Sequence, residues 1–160
     1  MVANDIGTMI RIPAASYIYR VVHRIMEGDC EYDHGPREVK LPDFEISKYP
    51  ITNAQYKVFM DETHYKPEDE HGFLRHWVDG TFPEGQDNLP VVWISQEDAK
   101  AYASWAGGRL PHDWEWQYVA AGPEGLTYPW GDHLEKSYCN GNGKGLTPVD
   151  QYPQGASSFG

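Results

Sequence analysis

Sixteen glycines and twelve prolines interrupt this chain, and among them stand six tryptophans and eleven tyrosines. Glycine and proline punctuate regular structure, so long uninterrupted elements have little room here. Large rings must then do much of the packing between irregular segments. An all-helical bundle is excluded on this ground. The length of 160 residues matches roughly one domain. A chain of that size buries about two thirds of its unfolded surface. With 40 % apolar and 23 % charged residues it has ordinary globular usage, which argues against a disordered tail.

Thirteen basic residues face 24 acidic ones, for a net charge of −11. Sequence-independent binding to phosphate backbones needs clustered Lys and Arg, so no nucleic-acid partner is expected. No apolar run approaches the ~20 residues of a membrane span, so no membrane partner is expected either. Met1 to Thr8 carries neither a basic start nor an apolar stretch of the secretory kind. Cys30 and Cys139 are too few for a disulfide framework. The expected setting is cytoplasmic.

Local patterns place the elements. Met9 to Ile12 reads as a strand stopped by Pro13, and Ser16 to Val22 as a second. Residues 27–36 are polar with Gly28, Gly35 and Pro36, and read as a loop. Val39, Leu41, Phe44 and Ile46 alternate around Pro42, which suits a broken strand at a sheet edge. Thr52 and Gln55 have capping-box spacing, which starts a helix with Tyr56, Phe59 and Met60 on one face. Residues 64–90 show no sustained period and read as a surface excursion, within which Glu68, Asp69 and Glu70 form a solvated acidic stretch. Val91 to Ile94 reads as a short buried strand. Ser95 and Asp98 repeat the capping box, with Ala99, Tyr102, Ala103 and Ala106 as the inner stripe and Gly107-Gly108 as the stop. A third helix follows Pro111, capped by His112 or Asp113, with Trp116, Val119 and Ala120 facing inward and Gly122-Pro123 ending it.

Several pieces then stand in one order: Ile12-Pro13-Ala14, Tyr49-Pro50-Ile51-Thr52-Asn53, Leu89-Pro90-Val91-Val92, Gly108-Arg109-Leu110-Pro111, Trp114-Glu115-Trp116-Gln117-Tyr118, Tyr128-Pro129-Trp130-Gly131 and Thr147-Pro148-Val149. Together they resemble the formylglycine-generating enzyme, or sulfatase-modifying factor, family from about Met9 to Gly160. Residues 1–8 then form an N-terminal tail and 9–160 one domain, truncated at its C-terminus. The resemblance implies an α+β, C-type-lectin-like fold with a small twisted antiparallel sheet, a few short helices and much irregular structure. His112 and Asp113 stand where the family has Thr and Glu.

In complete members, as the resemblance implies, two cysteines bind copper(I) and activate oxygen to oxidise a substrate cysteine of a sulfatase to formylglycine. That implies an oxidoreductase and a sulfatase-type protein or peptide as partner. Cys30 and Cys139 match neither catalytic cysteine and read as incidental thiols, so no catalytic residue and no copper ligand is assigned. The segment carrying those cysteines is expected to lie outside this sequence. The alternative is a non-catalytic lectin-like binding module or the accessory domain of a non-haem iron sulfoxide synthase.

The family's structural calcium implies one candidate metal site. Asn140 and Gly141 occupy the place of an Asn side chain and the following carbonyl, with Asn142 or Asp150 as further oxygen donors. A plain Asn-Gly turn explains the same residues. Glu70, His71 and His76 have the residue types of an iron facial triad but read as surface residues of the excursion.

Overall fold

The computed structural model describes residues 7–20, 22–27, 30–33, 36–141, 143 and 145–160, with the backbone alone at 22–27 and 30–33. His34, Asn142 and the side chains of His23 and Cys30 lie outside the described residues. The described chain is α+β and divides into two units.

Strands build one unit, made of Met9–Ile46, Pro111–Leu134 and Gln154–Gly160. Strand β1 (Met9–Ile12) pairs with β6 (Phe44–Ser47), β2 (Ala15–Tyr19) with β5 (Arg37–Leu41), and β3 (Val22–Glu27) with β4 (Cys30–Asp33). The expected small sheet is thus three two-stranded ladders. In β2 the side chains alternate: Tyr17 and Tyr19 turn inward and Ile18 outward, as a period of two requires. Antiparallel pairing sets Ala15 opposite Leu41 and Tyr19 opposite Arg37. Within the stretch expected to be a loop, Glu27 and Cys30–Asp33 are strand residues. Two residues separate Glu27 from Cys30, the spacing of a tight hairpin, and backbone pairing outweighs the polar composition.

Helix α3 (Asp113–Ala121) has His112 as its N-cap, and Glu115 reaches back to accept the His112 N–H at 2.8 Å. That reach turns Glu115 inward, and Tyr118 follows one turn later. Trp116 therefore faces solvent and is 63 % exposed, which corrects the expected inner face. Ile12, Leu41 and Tyr118 form the buried centre, with Tyr17, Trp114, Val119 and Phe159 packed around them. The Tyr17 hydroxyl donates to the Trp114 carbonyl. Gln117 and the Arg20 backbone exchange two bonds at 3.1 and 2.6 Å.

The other unit holds 7–8, Ser47–Leu110 and Glu135–Pro153. Helix α1 (Asn53–Thr63) and helix α2 (Gln96–Trp105) both start in complete capping boxes, at Thr52 with Gln55 and at Ser95 with Asp98. Gly107 stops α2 with φ +81°, and the Gly108 N–H closes on the Ala103 carbonyl at 2.8 Å. On α2 the deeply buried residue is Asp98; Ala99, Tyr102 and Ala103 are half-buried and Ala106 is exposed. The inner stripe is thus shifted toward the helix start. Tyr56, Phe59 and Leu74 form the core, joined by Tyr65, Phe73, Trp77 and Tyr102. The segment 64–90 is therefore more than surface, since its rings fill the gap beside two short helices.

No strand forms at Val91–Ile94. Pro90 makes one isolated bridge to Thr52, and Val91 donates to the Ile51 carbonyl at 2.9 Å. Trp93 then turns the chain with φ +61° and lies 48 % exposed. Leu74 also has a left-handed backbone, φ +44°, and its N–H donates to the Trp93 carbonyl at 2.8 Å. Each such residue costs on the order of 1–3 kcal/mol. Burial of the Leu74 side chain offsets its share, whereas Trp93 has no comparable burial. The Arg75 guanidinium sits 3.1 Å from the centre of the Trp93 ring. An exposed stack of that kind returns only about 0.5–1 kcal/mol.

Candidate functional site

In the helical unit, three loop segments meet at the start of α1. A helix leaves its first N–H groups without internal partners. Here Asn53 donates to the Leu89 carbonyl at 2.9 Å and Ala54 to that of Asp87 at 3.1 Å. Gln55 donates to the Thr52 hydroxyl at 3.2 Å. The Asn53 side chain, fully buried, donates to the Gln86 carbonyl at 2.8 Å and accepts from the Trp77 indole at 3.3 Å. One amide thus ties the helix to two places in the 64–90 segment. Asn88 extends the join: its side-chain N–H donates to Asp150 at 2.9 Å and its carbonyl accepts the Val149 N–H at 3.1 Å. The Thr147-Pro148-Val149 piece is held in this way. The signal for Asn53 was its place after a capping Thr, but its partners are distant in sequence and could not be read from it.

The same unit holds a polar cluster around a buried carboxylate. Asp98 accepts from the Tyr65 hydroxyl at 2.8 Å and from the Ser95 N–H at 2.7 Å. Burial, with the nearby Asp98 carboxylate, pushes the Tyr65 phenol up to about 12. The Tyr56 phenol is raised as well, chiefly by burial, and its oxygen is buried without a hydrogen-bond partner. Both tyrosines therefore stay protonated at neutral pH, and Tyr65 acts as a donor, not as a base.

His76 departs from the surface reading. Both ring nitrogens are buried without a partner, and the ring stands edge-on to Trp77 at 6.3 Å. Burial lowers its pKa below the ordinary histidine value. His71 is exposed, and its N–H is bonded to Asp69. Among the described residues no three His, Cys, Asp or Glu side chains gather as a metal-ligand set, so Glu70, His71 and His76 make no facial triad.

The candidate calcium residues lie in the 135–153 loop. Asn140 donates its side-chain N–H to the Gly145 carbonyl at 2.7 Å, which closes the turn and leaves Oδ1 as the acceptor end. Gly141 follows in an exposed, irregular stretch. Asp150 is committed to Asn88, and Asn142 lies outside the described residues. A calcium ion here would lean on neutral oxygens from Asn140 and the backbone, and calcium accepts such donors as part of a shell of about six to eight. Glu135 opens the loop as a cap, accepting from the Ser137 hydroxyl and N–H, which holds its carboxyl below the usual value. Cys139 is a free, half-buried thiol. It is the described thiol of the chain, and a single thiolate does not make the paired soft site that copper(I) takes.

Comparison with known proteins gives the following. The sulfatase-modifying factor enzyme 1-like domain matches residues 2–159. A formylglycine-generating enzyme of Thermomonospora curvata is 32 % identical over 162 residues, covering 79 % of this chain and 53 % of that protein. A hercynine oxygenase of Mycolicibacterium smegmatis is 27 % identical over 181 residues, covering 96 % of this chain and 42 % of that protein. The structure of PvdO from Pseudomonas aeruginosa has the same fold, with a TM-score of 0.66 at 21 % identity over 98 % of this chain and 66 % of that one. The chain spans between 22 and 56 % of the length of these and similar curated relatives.

Proposed function

The chain belongs to the sulfatase-modifying factor enzyme 1-like domain family, and on that premise we propose that it forms the scaffold and part of the substrate groove of a formylglycine-generating domain. In complete form such a domain oxidises a substrate cysteine of a sulfatase-type protein to formylglycine. The observation that carries this reading is the match of residues 2–159 to the family, with 32 % identity to a formylglycine-generating enzyme over most of the chain. The described part supplies what a groove needs: capped helices, loops pinned by Asn53 and Asn88, and rings that hold irregular backbone rigid. Copper, when bound in such a domain, supplies the oxygen chemistry. The described residues do not make its two-thiolate site, and no step is derived through it.

Calcium enters as a structural ion, held by Asn140 Oδ1 and the Gly141 carbonyl. It would stabilise the 135–153 loop without taking part in a reaction. The cytoplasmic setting expected from the sequence belongs to the same reading.

A second reading has one observation in its favour. The match to a hercynine oxygenase extends over 96 % of this chain. On that reading the chain is the accessory domain of a non-haem iron oxygenase, and the groove receives a small molecule rather than a peptide.

Fluorescence anisotropy separates the two. A labelled peptide carrying the Cys-x-Pro-x-Arg pattern of sulfatases should bind saturably under the first reading, and a scrambled peptide should not. Equal, non-saturating signals from both peptides would overturn it in favour of the second.

A further inference from the structure

We propose that Arg75 and Trp93 form an exposed recognition site for a carboxylate-bearing ligand, with the indole carrying the guanidinium face and Arg75 offering its N–H edge. Two observations made independently point to this place. The first is the stack itself. At 3.1 Å from the ring centre the guanidinium lies against the face of the indole. Its donors lie in the guanidinium plane, so stacking leaves them directed away from the ring. Among the described residues no carboxylate pairs with Arg75, and its side chain has no hydrogen-bond acceptor. A charged fork held in one orientation and left without a partner is preorganised for a planar oxyanion.

The second observation is the backbone. Trp93 is a bulky residue in the left-handed region at φ +61°, a conformation glycine adopts without penalty. Trp93 is 48 % exposed, far more than Leu74 at 6 %. Leu74 offers the contrast within one hydrogen bond: it is also left-handed, but its side chain is in the core. A bulky, half-exposed residue held in this conformation is the kind of strained position that clusters at ligand sites. The Leu74 N–H to Trp93 carbonyl bond then fixes the two segments of the site together.

The fork matches a carboxylate in shape, since two parallel N–H groups meet two coplanar oxygens. Phosphate offers the same oxygens with more charge. A chain of net charge −11 repels a doubly charged anion more than a singly charged one, which favours the carboxylate. The ligand is thus a peptide acidic side chain or terminus, or a small carboxylic acid. The test of this site does not depend on any conversion of cysteine.

The test uses the whole chain and two probes, propionate and inorganic phosphate. Heteronuclear NMR follows the Arg75 Nε–H resonance during each titration at constant ionic strength. Propionate should shift it saturably, and phosphate should bind more weakly. Arg75→Gln should abolish the saturable shift of the Trp93 indole signal while lowering the melting temperature by no more than a few degrees, the loss of an exposed stack. Trp93→Gly, which removes the indole, should weaken propionate by about tenfold or more. Trp93→Phe should keep most of the binding. A linear propionate response, phosphate binding as tight as propionate, binding that survives Arg75→Gln, or a Trp93→Gly variant that binds as the parent does would each overturn the assignment.

Discussion

The Tyr65 hydroxyl donates to one oxygen of Asp98 at 2.8 Å, while the other oxygen of the same buried carboxylate caps Ser95 N–H at 2.7 Å. One side chain thereby serves both the start of α2 and the ring that follows α1. Asp98→Ala removes a cap and leaves a phenol without its acceptor, so it should cost roughly 2–4 kcal/mol. Asp98→Asn keeps an acceptor oxygen and should cost less. Urea unfolding of the two variants checks this; an Asp98→Ala midpoint equal to that of the parent would show that the carboxylate bears no weight.

His76 makes the fold sensitive to acid. Burial lowers its folded-state pKa, whereas the unfolded chain titrates near the ordinary value of about 6.5. Below that pH the unfolded state binds the proton more readily than the folded one. Stability is therefore complete above about pH 6.5 and falls as the pH drops toward the lower folded value, with a slope of at most about 1.4 kcal/mol per unit. His76→Phe should flatten the curve between pH 7 and 5. Melting temperatures across that range give the answer, and parallel curves for parent and variant would rule out His76 as the source.

The two faces of α3 give opposite expectations. Tyr118 is 4 % exposed and touches the Tyr17 and Phe159 rings, so Tyr118→Ala should cost roughly 3–5 kcal/mol, as deletion of a large buried aromatic does. Trp116→Ala should stay within about 0.5 kcal/mol of the parent. Thermal melts of the pair decide which residue faces the core. A severe loss at Trp116 with little at Tyr118 would restore the orientation expected from the sequence.

Calcium bound through Asn140 should appear as a rise in melting temperature, since an ion that binds only the folded state stabilises by RT ln(1 + [L]/Kd). With neutral donors around it the ion should bind weakly, and the rise should vanish on chelation and in Asn140→Ala. Differential scanning fluorimetry with calcium or chelator measures it. A rise that survives Asn140→Ala would move the ion elsewhere, and no rise in the parent would leave the loop a turn closed by its bond to Gly145.

The parts legible in the sequence were those set by neighbours three or four residues apart. Thr52 with Gln55 and Ser95 with Asp98 announce their helices because a capping box is local chemistry. The orientation of α3 was not legible, because Glu115 is drawn inward by its bond to the His112 N–H and rotates the buried face away from Trp116. Trp93 breaks the local preference outright, so an apolar run that reads as a strand becomes a left-handed turn. Of the candidate site, Asn140 and Gly141 were readable only through resemblance. The joins made by Asn53 to Gln86 and Trp77, and by Asn88 to Asp150, are tertiary and leave no local pattern.

The most direct measurement of the central claim is the mass of a sulfatase-type peptide after incubation with this chain, copper and oxygen. The chain is read as a scaffold and part of a groove, with no paired thiolates among its described residues. The expected result is a peptide that binds and is recovered with its cysteine unchanged. Recovery of formylglycine above the level seen without the chain would contradict it.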